Sequence, residues 1–115
     1  MTMKFTTENG GDLGDLTAEA MDGILAEEGF GGFAILGPAE DVFIQAADTW
    51  EPGDETSAFR ESHGSDPWVL EYREAGRQYQ AHGHVTLDQV REAFRSYLAG
   101  DGRWRAAFQW HEIEV

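Results

Sequence analysis

The chemistry open to this chain is set by four histidines, 22 acids and an absence of cysteine. Without thiols there is no disulfide, no thiolate nucleophile and no sulfur-bound metal. His82-Gly83-His84 is the histidine pair with ligand-like spacing. On a strand, positions two apart share a face, so both imidazoles can meet one metal ion. Such a site needs a third ligand, and Glu71 or His111 would have to lie adjacent across a sheet. The alternative role for His82 and His84 is to close a strand as solvent-facing polar residues before a helix. Glu51, Asp54 and Glu55 form an acidic cluster, but the alternating oxygens and fixed glycine of a calcium loop are missing. Nothing in the sequence singles out an acid whose surroundings would suit it to catalytic proton transfer. Ser57, Ser62, Ser65 and Ser96 lack a nucleophile elbow, and Ser62-His63 are neighbours only along the chain. Gly29-Phe30-Gly31-Gly32 lacks the spacing and strand-then-helix setting of a phosphate loop. The expectation is a protein that is not an enzyme and carries no cofactor.

Binding is better supported than catalysis. Trp50 stands beside Glu51-Pro52-Gly53-Asp54-Glu55, an arrangement suited to a basic surface with an apolar pocket. Trp50 would anchor, while Glu51, Asp54 and Glu55 would steer. The alternative is a tryptophan plug pinning this segment to the sheet. Glu71, Arg73 and Gln80 form a second candidate patch. Net charge is -14, and its distribution is lopsided. Residues 1–66 hold 15 acids against Lys4 and Arg60, whereas residues 67–115 hold seven acids against six arginines. A one-sided field of this kind steers a basic partner, although solubility or adaptation to salt would also select it. It repels phosphate backbones and anionic lipid, which disfavours nucleic acid and membrane surfaces. No apolar run approaches a membrane span and no signal-peptide core is present, so a cytoplasmic location is expected.

These residues must be positioned by one domain over 1–115, because the length leaves no room for two cores. Met3 to Thr7 reads as a strand, followed by a turn at Asn9 to Asp12. A first helix is capped by Thr17, presents Leu16, Ala20, Met21, Ile24 and Leu25, and stops at Gly29. Gly23 inside it signals either a close backbone neighbour or a marginal helix. Phe33–Gly37 and Val42–Ala47 form a hairpin through a four-residue loop, pairing Leu36 with Phe43 and Ile35 with Ile44. Both faces would then be apolar, so the second would be covered by the long loop or by a second copy in a homodimer. Asp48 to Pro67 is a long acidic connection, either a binding loop or one hiding a strand near Ser57-Ala58-Phe59.

The second hairpin is the clearest local feature. Trp68 to Glu74 and Arg77 to His84 flank the two-residue turn Ala75-Gly76. This register sets Tyr72 opposite Tyr79, Leu70 opposite Ala81 and Trp68 opposite Gly83 on an apolar face. Arg73 with Gln78, Glu71 with Gln80 and Val69 with His82 fall on the polar face, and a one-residue slip would destroy the separation. Thr86-Leu87-Asp88-Gln89 then has the form of a capping box. Leu87, Val90, Phe94, Tyr97 and Leu98 repeat at helical spacing, with Asp88–Arg91 and Glu92–Arg95 able to pair outside. Gly100-Asp101-Gly102 ends this helix. A last strand over Ala107 to Val115 has an awkward phase that calls for a bulge near Glu112 or a change of neighbour. The expected class is α+β, in the order β-α-β-β-β-β-α-β: a mostly antiparallel sheet of five or six strands with two helices on one face.

The stretch Val85-Thr86-Leu87-Asp88-Gln89-Val90-Arg91-Glu92-Ala93-Phe94, then Tyr97-Leu98, a glycine turn and a strand bearing Trp110, resembles the end of immunity proteins paired with deaminase-type toxins in bacterial polymorphic toxin systems. The preceding Val69-Leu70-Glu71-Tyr72-Arg73 is compatible with that likeness. After the helix the chain departs from it, with Gly102-Arg103-Trp104 where that family often has Gly-x-Arg-Pro. The resemblance implies a non-enzymatic inhibitor that masks a toxin-like basic protein by tight binding, with no catalytic residues to carry over. Three readings leave the sequence: this inhibitor, a small-molecule or metal-binding domain on the polar face of the 68–84 hairpin, and a homodimer joined near Leu36 and Phe43.

Overall fold

The computed structural model describes residues 3–14, 16–26, 30–39, 41–48, 58, 61–62 and 67–113. The α+β class expected from the sequence is the one found, with seven antiparallel strands. They are β1 (Lys4–Thr7), β2 (Gly11–Asp12), β3 (Phe33–Ala39), β4 (Val42–Asp48), β5 (Trp68–Glu74), β6 (Arg77–Ala81) and β7 (Trp110–Ile113). Helix α1 (Ala18–Ala26) lies between β2 and β3; α2 (Leu87–Ala99) and the short α3 (Arg103–Ala106) lie between β6 and β7. The sheet order is β2-β1-β3-β4-β5-β6-β7, so beyond the β2 tab the chain lays its strands down as a meander. Among the described residues no helix is long and apolar enough to cross a membrane.

Alternation along the strands sorts side chains onto two faces. Phe5, Ala34, Leu36, Ile44, Ala46, Leu70 and Tyr72 point to the face on which α1 and α2 lie, and all are buried. Met21 and Leu25 of α1 and Val90, Ala93 and Phe94 of α2 complete that core, with the Phe5 and Phe94 rings edge to face at 6.3 Å. Thr17 caps α1 through its hydroxyl, which accepts from the Ala20 N–H at 3.2 Å. A Cβ on Gly23 would meet nothing within 4 Å, so no backbone packs there and the glycine simply weakens the helix. The Gly29 stop lies outside the described residues. The two helices are tied by Arg91, whose Nε and Nη2 donate to the two Asp22 oxygens at 3.0 and 2.9 Å.

The first hairpin differs from its expected register. Leu36 pairs with Ile44 rather than Phe43, and Ile35 with Gln45 rather than Ile44. A register shift between Leu36 and Ala39 absorbs the difference and carries β3 on to pair Ala39 with Val42. Gly37 explains the shift: a Cβ there would collide with the Val42 carbonyl oxygen and lie 2.7 Å from the Phe43 Cα. The displacement puts Leu36 and Ile44 together in the core and leaves Gln45 on the opposite face. That face is consequently less apolar than the sequence suggested. The expected strand near residue 58 is not seen at Ala58, which has helical backbone, as do Glu61 and Ser62; Ser57 and Phe59 lie outside the described residues.

The second hairpin has the register read from the sequence, with Tyr72 opposite Tyr79, Arg73 opposite Gln78 and Glu71 opposite Gln80. Both turn residues take positive φ, Ala75 at 54° and Gly76 at 77°. The pairing ends sooner than expected, because β6 stops at Ala81 and Trp68 bridges Val85 instead of Gly83. The capping box of α2 is present: the Thr86 hydroxyl accepts from the Gln89 N–H, and the Thr86 N–H donates to Gln89 Oε1. Asp88 pairs with Arg91 at 3.3 Å. Among the described residues no ion pair joins Glu92 to Arg95, the second pair expected on that helix.

The last strand begins at Trp110 rather than Ala107 and is unbulged, running in continuous register with β6 from Trp110 to Ile113; Glu114 and Val115 lie outside the described residues. Its phase needs no correction. Trp110 faces the helices, where its ring meets Tyr72 edge to face at 4.8 Å. Ile113, opposite Gln78, belongs to the other face. The turn of helix α3 was not legible from the sequence; it buries Trp104 against Tyr72 at 4.8 Å and Tyr97 at 5.3 Å.

Candidate functional site

On the sheet face away from α1 and α2, the registers line up one residue from each of six strands: Thr6, Ile35, Gln45, Glu71, Gln80 and His111. A parallel row holds Phe43, Arg73, Gln78 and Ile113. Glu71 stands at the centre. Its Oε1 accepts from Gln78 Nε2 at 2.6 Å and from Gln45 Nε2 at 3.0 Å, and its Oε2 from Gln80 Nε2 at 3.4 Å. The strand pairings dictate this convergence, since Gln45 and Gln80 flank Glu71 directly and Gln78 is its diagonal neighbour. Gln78 is only 5% exposed. Beside it, Arg73 Nε is buried and has no hydrogen-bond partner.

This geometry determines what the row can do. The Glu71 carboxylate is ringed by three neutral amides whose N–H dipoles position it, each amide retaining further donor and acceptor capacity. Of the residues singled out in the sequence, Glu71, Arg73 and Gln80 are brought together here. Trp50, Glu51, Asp54 and Glu55 lie outside the described residues. Gln45 and Gln78 were missed as site residues. Gln78 could have been found from the second hairpin alone, where it pairs with Arg73; Gln45 could not, because it meets Glu71 through a pairing between two separate hairpins joined by the long 48–67 connection.

The histidines are arranged differently from the expected pair. β6 ends at Ala81, and Gly83 at φ 69° interrupts the alternation that would have placed His82 and His84 on one strand face. His82 instead meets His111, ring centroids 4.7 Å apart at 73°. Glu71 is separated from His111 by Gln80. Among the described residues no three or more histidine, aspartate or glutamate side chains gather as a metal site.

A groove of about 580 Å³ opens on the other side of the molecule, between α2, α3 and the start of α1. Its walls include Gln89, Ala93, Ser96, Trp104 and Phe108. Ser96 is the hydroxyl there, and it is fully engaged: it donates to Asp101 Oδ1 and accepts from the Trp104 N–H at 3.0 Å. The Ser96 hydroxyl, then the N–H and guanidinium of Arg103, hold the Asp101 carboxyl down at about 2. This arrangement fastens α3 to the end of α2.

Charge is also sorted by the fold. Because the sheet is a meander, halves of the sequence become halves of the sheet. Among the described residues, the half from β1 to β4 with α1 carries six acids against Lys4, and the half from β5 to β7 with α2 and α3 carries six acids against six arginines. Compared with protein families, with curated proteins and with solved structures, the chain finds no match.

Proposed function

We propose that the protein is a non-enzymatic binding domain that masks a basic protein partner, in the manner of an inhibitor or immunity protein. The observation that carries this reading is Glu71 held by Gln45, Gln78 and Gln80 on the sheet face away from α1 and α2. A carboxylate fixed in this way is pre-organised to receive a lysine or arginine without reorganising its surroundings. The acid-rich β1–β4 half supports the same reading, since it would orient a basic partner during approach. The Trp50, Glu51, Asp54 and Glu55 segment contributes charge and an aromatic anchor to this proposal from its sequence.

The test begins with a basic protein retained on the immobilised domain at low salt, followed by association and dissociation rates over a salt series. Replacing Glu51, Asp54 and Glu55 by their amides should slow association, while Glu71→Gln should speed dissociation by roughly tenfold or more if the charge pair is desolvated. Retention of no basic protein, or rates indifferent to both salt and Glu71→Gln, would sink the proposal.

A further inference from the structure

We propose that His82 and His111 form a two-imidazole site for a divalent first-row transition ion of the copper, nickel or zinc type. Both residues are exposed, and their rings are in contact across the β6–β7 junction. Neither imidazole nitrogen has a hydrogen-bond partner among the described residues, so a lone pair on each ring is available to a metal. The backbone beneath them is fixed: the His82 N–H donates to the Gln109 carbonyl at 2.8 Å, and His111 pairs with Gln80. The two histidines are therefore diagonal neighbours on one face of an antiparallel ladder.

The spacing suits chelation. A metal–nitrogen bond of about 2.0–2.1 Å puts each ring centroid roughly 3.2 Å from the ion. At nitrogen–metal–nitrogen angles of roughly 90–110°, the centroids then lie about 4.5–5.2 Å apart. The observed separation is 4.7 Å. Imidazole selects these ions over hard cations such as calcium and magnesium, which prefer oxygen ligands. Water would complete the coordination shell. His84 plays no part, since the chain turns at Gly83 before reaching it.

A chain of net charge -14 concentrates cations near its acids whatever its histidines do, so the test must separate the two. Nickel and copper are titrated into the whole protein, followed by calorimetry and by the imidazole C–H resonances. The parent should bind one ion, with His82 and His111 signals affected first and calcium leaving them in place. His82→Ala and His111→Ala should each weaken binding about tenfold or more, while His84→Ala should keep it within about twofold. All three side chains are exposed, and unchanged melting temperatures without metal would show that the variants remain folded. Equal binding by the parent and His82→Ala, loss in His84→Ala alone, or an identical response to calcium would overturn the proposal.

Discussion

A carboxylate that accepts from three glutamines is stabilised by dipoles rather than by an opposite charge, and those dipoles depend on it in turn. Removing the acceptor by Glu71→Ala strands the buried Gln78 amide and should cost about 1–3 kcal/mol in chemical denaturation. Ala75 is a second site where one side chain is at odds with its backbone. It holds φ 54°, a left-handed conformation that a Cβ disfavours. Ala75→Gly should therefore stabilise the protein by about 1 kcal/mol, with no change in the Tyr72–Tyr79 pairing. Gly37→Ala should do the reverse, since the new methyl would press into the Val42–Phe43 backbone; the loss should exceed about 2 kcal/mol unless β3 slips.

At the scale of elements, the joint between α1 and α2 is electrostatic and will titrate. The Arg91 hydrogen bonds hold Asp22 below the ordinary carboxylate range, and Ser96 with Arg103 holds Asp101 lower still, at about 2. A carboxyl depressed in the folded state adds stability above its unfolded pKa, near 4, and that contribution is lost as pH falls through the folded value. Asp22→Asn and Asp101→Asn should thus be less stable than the parent at pH 7, with the Asp101→Asn gap closing between about pH 4 and about pH 2. Thermal melts across that range check it, and a gap independent of pH would contradict the assignment. The elements differ in how far their sequence specified them. The β5–β6 hairpin and α2 were legible because a two-residue turn and a capping box fix register and start within a few positions. The β3–β4 hairpin was not, because Gly37 acts through a close approach between strands that composition does not reveal. Helix α3 escaped for a similar reason: Asp101 and Ser96 organise it across a turn, leaving no periodic pattern in four residues. The Glu71 site was half visible, since Gln80 and Arg73 follow from one hairpin whereas Gln45 comes from the neighbouring one.

For the whole molecule, the dominant quantity is a net charge of -14, most of it contributed by residues 1–66 of the sequence. Self-repulsion of that size opposes compaction, and screening relieves it. Melting temperature should rise as sodium chloride is increased from low concentration, and variants that neutralise acids on the β1–β4 side should reproduce part of that gain. A melting temperature indifferent to salt would mean that the acids are too dispersed to repel. The meander has a consequence for how the chain reaches this state. β5 and β6 are joined by two residues, so they can meet almost as soon as the chain collapses, whereas β7 must wait until α2 and α3 have been laid down. Loop closure favours that sequence of events, with the Tyr72–Tyr79 contact formed in the folding transition state and the Trp110 contacts made afterwards. A substitution at Tyr79 should then slow folding, while one at Trp110 should chiefly hasten unfolding.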